Sequence, residues 1–223
     1  MLTIVTWLWG SKYSADDVRK LRSGLRRHLK QPHRLLCMTD HRRPMAADVE
    51  FRQIADPELT KQPGCFVRLR MFDPEWQQQH GIDERAVCID LDVVITGALD
   101  PLFDRPEPFV ILQGANSINP CPFNGSLWML RAGTHPEVWR DFTPERAAAT
   151  PFFHFPDDQG WFWHKVPLAA GWQAGANGLY AFQKPGWPPG TALPQDARIV
   201  VFPGHRSPSR YIRLRWVQDN WRF

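Results

Sequence analysis

The sequence predicts a single α/β domain built on a largely parallel sheet, and three observations carry that expectation. A βαβ unit opens the chain: residues 3–8 read as a buried strand, an amphipathic helix follows, and residues 35–38 read as a second strand. Residues 86–95 stay apolar on both faces except at two aspartates, the pattern of a strand in the sheet centre. At 223 residues, 43% hydrophobic and 22% charged, the chain can bury one substantial core and has no disordered composition.

Taken in order, Ser14 is placed as an N-cap with Asp16 and Asp17 in the first helical turn, where the helix dipole favours acids. Val18, Leu21, Leu25 and Leu29 share one face, Arg19, Lys20, Arg26 and Arg27 occupy others, and Pro32 ends the helix. The second strand stops at Thr39 and Asp40, and residues 49–54 make a third. Phe66–Phe72 reads as a short helix ending before Pro74. Residues 110–113 and 126–130 are further strands, and Thr134 with Glu137 spells a capping box for a helix carrying Val138, Trp139 and Phe142. From 150 to 190 the density of Pro, Gly and aromatics predicts long ordered loops. Residues 199–202 form a late strand, followed by PGHRSPSR and the tail YIRLRWVQDNWRF.

A net charge of +4 and a pI near 9.0 favour an anionic partner: nucleic acid, phospholipid or a diphosphate-bearing metabolite. The arginines are scattered, and an acidic strand end repels phosphate, so a nucleic-acid-binding module is the weaker alternative. Met1 leads into an apolar run without a basic segment or cleavage site, and no stretch is long enough to span a bilayer. Cys37, Cys65, Cys88 and Cys121 form no CxxC pair, which argues against zinc and disulfides and for a reducing cytoplasm. Eleven Trp and fourteen Phe exceed what such a core needs, and flat rings also serve as platforms for bases and sugars. In the tail, arginines beside Tyr211, Trp216 and Trp221 suit either an anionic membrane surface or a helix packed on the domain, and the packed helix is preferred.

The chemistry is concentrated in AVCIDLDVV. In an extended chain Asp90 and Asp92 point to one side, where their charges repel and burial adds to the cost. A divalent cation removes the conflict, and oxygen ligands suit Mg²⁺ or Mn²⁺. The plain alternative is a pair of strand-capping acids held by arginines. An apolar strand followed by DxD also resembles the haloacid-dehalogenase-like phosphatases, with Asp90 as nucleophile and Asp92 as general acid. That motif normally opens its domain, whereas a complete βαβ unit comes first here, and no clear Ser/Thr and Lys partners follow.

The segment IDLDVVITGALDPLF resembles the metal-binding strand of GT-A glycosyltransferases of the glycogenin type. Other segments follow in the family's order. TWLWGSKYSADDVRKLRSGLRRHL is similar to its first strand, nucleotide-binding turn and helix, LLCMTD to its second strand, and FVRLRMF to the basic segment before DxD. FNGSLWMLRAG resembles the "FNSGV" strand, DDQGWFWHKV the "DQG" helix start, and IVVFPGHRSPSR the C-terminal "HFxGxxKPW" segment. The resemblance implies a Rossmann-like mixed central sheet flanked by helices, with 1–95 as the nucleotide-binding half and 96–223 as the sugar and acceptor half. It further implies transfer of a sugar, with retention, from a nucleotide-diphospho-sugar donor to a glycan or lipid-linked acceptor, assisted by Mn²⁺ or Mg²⁺.

Residue by residue, the resemblance makes Asp92 the stronger metal ligand, with Asp90 between metal and ribose. Thr6, Trp7 and Tyr13 would surround the nucleobase and ribose, with core packing the competing expectation for Trp7. Arg68 would contact the donor phosphates, or else be a surface arginine without a role. Asn124 and Ser126 would hold the donor sugar, although Asn-Gly is equally a hairpin turn signal. Asp158 and Gln159 would face the reacting sugar, with Asp157 taking the role if the register differs by one; acids at a helix N-terminus are the rival reading. The C-terminal segment departs from the pattern: Val201 stands where a metal-binding His is expected, Pro203 where related sequences read FHG, and Ser207 where a lysine holds the diphosphate. His205 is left as a candidate metal ligand or a lone exposed histidine, with Arg206 or Arg210 as candidate phosphate partners.

Overall fold

A computed structural model of the chain describes residues 1–115, 120–151 and 155–223. Ten strands are seen among them: β1 (Leu2–Leu8), β2 (His33–Thr39), β3 (Val49–Gln53), β4 (Arg85–Ile89), β5 (Val93–Ile95), β6 (Phe109–Gln113), β7 (Phe123–Arg131), β8 (Ala170–Gln173), β9 (Leu179–Ala181) and β10 (Ile199–Val201). Seven form the central sheet in the order β3-β2-β1-β4-β7-β6-β8, and β5, β10 and β9 form a second, smaller sheet. The central sheet is mixed because β7 runs antiparallel to both of its neighbours, while the other pairs are parallel.

The opening unit is as the periodicity requires. Ile4 and Leu8 of β1 go to one core while Val5 and Trp7 go to the other, the alternation of a strand covered on both faces. Helix Ala15–His28 covers the first face through Val18, Leu21 and Leu25, and begins in a capping box: Ser14 accepts from the Asp16 amide, while Asp17 accepts from the Ser14 amide at 2.7 Å. The 3-10 helix Phe66–Phe72 and helix Asp158–Lys165 cover the opposite face around Trp128, Phe72, Phe109 and Phe162. A third cluster, with Phe182, Val200, Phe202, Val217 and Trp221, surrounds the small sheet.

Four expectations are corrected. The run 86–95 is two strands: the chain bends at Leu91 and Asp92, leaves the central sheet after Ile89 and enters the small sheet at Val93. Backbone bonds hold both ends of the bend, Asp90 N donating to Ser126 O of β7 at 3.0 Å and Phe202 N donating to Asp92 O at 3.0 Å. Asn124 and Gly125 make no hairpin turn but lie within β7, where the pairing with β6 shifts register between Ile111 and Leu112. The Thr134 capping box does not form, because the Thr134 hydroxyl donates to Arg131 O at 2.7 Å and Pro136 occupies the N-cap of Glu137–Arg140. The stretch 150–190 holds a helix and two strands besides its loops; residues 152–154 within it lie outside those described.

The tail takes the packed-helix form, Arg215–Asn220, with Val217 fully buried and Trp221 8% exposed. Lys20 Nζ sits 3.6 Å from the Trp221 ring centroid, and Arg27 donates to Asn220 O at 2.5 Å, so the tail's aromatic character is spent largely on the domain itself. No helix among the described residues is long and apolar enough to cross a membrane. Replacing the cap in Ser14→Ala should lower unfolding free energy by about 1 kcal/mol in urea denaturation, with little change in the denaturant slope.

Candidate active site

The carboxyl ends of β1, β2 and β4 converge on one edge of the sheet, where open α/β folds place ligands. After β1 the chain turns at Gly10, whose φ of +62° is the left-handed conformation that glycine adopts without strain. The turn is clasped to the end of β2: Gly10 N donates to Asp40 Oδ2 at 2.9 Å, and Arg43 donates to Gly10 O at 2.9 Å and to Asp40 Oδ1 at 3.1 Å. That clasp presents Lys12 and Tyr13 to the bend after β4. The Tyr13 hydroxyl donates to Asp92 Oδ2 at 2.6 Å, and Lys12 Nζ lies 3.4 Å from the same oxygen. Burial and the Asp92 charge hold the Tyr13 phenol well above its ordinary range, so it remains a donor.

Asp92 itself is 6% exposed, and its Oδ1 is buried with no hydrogen-bond partner among the described residues. Burial, then the charge of Asp90, push its carboxyl up to about 6 against the opposing pull of Lys12 and Tyr13. Asp90 is more open and is tied to Arg68. The two aspartates therefore have different partners, because the bend between them separates their surroundings.

Arg68 is the centre of a second, deeper set of contacts. Only 4% exposed, it donates through Nε to Asp158 Oδ2 at 2.8 Å, through Nη1 to Gly125 O at 2.9 Å, and to Asp90. Asp158 is 2% exposed; burial pushes its carboxyl up to about 7, with Arg68 opposing and Asp157 and Asp90 adding to the shift. Asp157 is the N-cap of the Asp158–Lys165 helix and accepts from Gly160 N at 2.7 Å. Gln159 spans the gap to β7, accepting from Gly125 N at 3.1 Å and donating to Asp157 at 2.8 Å. Asp158 N in turn donates to Gly64 O at 2.8 Å, which docks the helix start on the corner before the 3-10 helix.

The candidate residues thus divide. Tyr13 and Asp92 form one contact set, and Arg68, Asp90, Asp158 and Gln159 form a second beside it that includes the β7 segment of Asn124 and Ser126, where the Ser126 amide donates to Asn124 Oδ1 at 3.0 Å. Thr6 is fully buried and donates to Ile89 O at 2.8 Å, so it braces the strand before Asp90. Trp7 is 5% exposed and stacks on Trp76 at 6.2 Å, the core-packing expectation. Arg68 is neither a surface arginine nor turned to solvent: Asp90 and Asp158 hold it inside. Asp158 likewise points inward onto Arg68. His205 is exposed, and among the described residues no group of three His, Cys, Asp or Glu side chains is arranged to hold a metal. Arg206 donates to Phe182 O at 2.9 Å.

Lys12 was missed in the sequence; its only signal was a basic residue just past the glycine of the first strand's turn. Two concavities lie elsewhere, about 280 Å³ beside Trp172 and Arg198 and about 360 Å³ beside Arg22 and Arg34, and neither includes this cluster.

The residues fit a divalent cation at Asp92. An unpartnered buried carboxylate oxygen beside a second carboxylate is a site short of positive charge, and Mg²⁺-like ions are commonly held by one or two carboxylates with the remaining positions left to water and phosphate.

This architecture is the GT-A fold. Among solved structures it is similar to galactosyltransferase LgtC in complex with donor and acceptor sugar analogs, at a TM-score of 0.60 and 10% identity, covering 98% of this chain and 96% of that one. An active-site mutant of LgtC is similar to the same extent, with a TM-score of 0.60, 12% identity and the same coverage. No protein-family model and no curated protein sequence matches the chain.

Gly125 is tightly packed, since a Cβ there would lie 2.5 Å from Arg68 Nη2. Gly125→Ala should therefore displace the guanidinium and cost about 1–3 kcal/mol in chemical denaturation. Arg68→Met, which leaves Asp90 and Asp158 facing each other without a cation, should cost more, about 3–5 kcal/mol.

Proposed function

We propose that this chain is a metal-assisted glycosyltransferase that moves a sugar from a nucleotide-diphospho-sugar to a glycan or lipid-linked acceptor. The observation that carries the reading is the buried, unpartnered Asp92 oxygen beside Asp90, at the carboxyl end of a central strand in a GT-A fold. Likeness to a galactosyltransferase solved with donor and acceptor sugar analogs supports the reaction class, and fold alone does not choose the sugar.

In this reading Asp92, with Asp90, holds Mn²⁺ or Mg²⁺. The ion would supply charge neutralisation for the departing diphosphate. Tyr13 holds Asp92 Oδ2 in place with a short hydrogen bond and so leaves Oδ1 as the free donor. Arg68 keeps Asp90 oriented and at the same time fixes Asp158, which carries the start of the helix and Gln159 with it. Gln159, half-buried and bridging to β7, would meet the donor sugar, and the partly exposed Asp90 would meet the ribose. Retention of configuration follows the family resemblance.

Calorimetry and thermal shift with a panel of nucleotide-sugars and Mn²⁺ test this reading. One donor class should bind only with metal and raise Tm, and Asp92→Asn should abolish the metal-dependent part. Absence of any metal-dependent nucleotide binding across the panel sinks the proposal.

Protons should compete with the metal. Because the Asp92 carboxyl is raised to about 6, Mn²⁺ affinity should be full above pH 7 and fall about tenfold per pH unit below 6. Titration of Mn²⁺ between pH 5 and 8 checks the slope.

A further inference from the structure

Lys12 is a cation standing at the place where the proposed function needs one. Its Nζ is 3.4 Å from Asp92 Oδ2 and 4.7 Å from the Tyr13 ring centroid, yet the side chain is 57% exposed, so it is held by one long ion pair and is free to swing away. The contrast with Arg68 is the informative part. The Arg68 side chain is 5% exposed, has three acceptors and cannot leave without stranding two carboxylates, whereas Lys12 is largely exposed and pairs with one carboxylate among the described residues.

Charge counting gives the arrangement a direction. Asp90, Asp92, Asp157 and Asp158 contribute four negative charges when ionised, and Arg68 and Lys12 contribute two positive ones, leaving two negative charges. A divalent ion at Asp92 neutralises that excess and removes the attraction that keeps Lys12 on Asp92. A diphosphate arriving beside that ion gives the ammonium a new partner within reach of its flexible stem.

We propose that Lys12 is an exchangeable counter-ion: it neutralises Asp92 while the site is empty and transfers to the donor's diphosphate when a divalent cation occupies Asp92. The inference rests on the glycosyltransferase reading and adds to it a phosphate-binding residue. Its consequence is a pair of effects with opposite sign. Lys12 opposes metal binding to the free protein and favours diphosphate binding to the metal-loaded protein.

Calorimetry on the intact chain separates the two, using Mn²⁺ alone and then inorganic pyrophosphate at saturating Mn²⁺. In Lys12→Met, Mn²⁺ should bind about three- to tenfold more tightly and pyrophosphate about tenfold more weakly than in the unaltered chain, while Lys12→Arg should keep pyrophosphate affinity within about twofold. Circular dichroism and an unchanged Tm would show that Lys12→Met is folded. If the unaltered chain binds Mn²⁺ and pyrophosphate but Lys12→Met leaves the pyrophosphate affinity the same, the counter-ion exchange is overturned and the transferase reading stands. If the unaltered chain binds no Mn²⁺ at all, both fall together.

Discussion

A guanidinium buried between two carboxylates is the interaction on which the candidate site depends. Arg68 comes from the 3-10 helix, Asp90 from the end of β4 and Asp158 from a helix start 90 residues after Arg68, and Gly125 of β7 adds its carbonyl. Burying any of these charges alone would be prohibitive, so the three can sit inside only as a set. The set therefore acts as a joint between the two halves of the chain. Gly125 has no side chain because the guanidinium passes where a Cβ would be.

The same joint explains why the two aspartates of the DxD motif behave differently. Asp90 is neutralised by Arg68, while Asp92, past the bend, meets a phenol and a solvent-exposed ammonium. A central strand that continued straight would leave both acids on one side competing for one partner. By leaving the central sheet at Ile89 and joining β10 at Val93, the chain spends its backbone bonds on β7 and β10 instead and keeps one carboxylate oxygen unsatisfied. An unsatisfied buried oxygen is costly to fold around, which is the physical reason to look for a ligand there.

The aromatic excess and the basic tail have a more ordinary account. Phe182 stacks on Phe202 at 5.0 Å and meets Tyr211, Trp187 and Trp216, closing a third core over a sheet of only three short strands. So small a sheet has little aliphatic surface, and large rings are an efficient way to exclude water from it. With 10–12% identity to the solved transferases, the chain keeps the GT-A arrangement of layers while filling it with different residues.

Periodicity alone determined the first strand, the capped helix after it, the strands that follow and the apolar approach to Asp90, because those features depend on neighbours three or four residues away or on alternate positions of one strand. The order of short motifs pointed to the GT-A class and to Asp90, Asp92, Tyr13, Asp158 and Gln159 as companions. What sequence could not supply was the break in the run 86–95, since Val93 to Ile95 are as apolar in the small sheet as they would be in the large one. Nor could it show that Arg68 faces inward or that Lys12 reaches Asp92. Those choices are made by side chains 22, 80 and 90 residues apart in the chain, whose charges are balanced only once the sheet has brought them together.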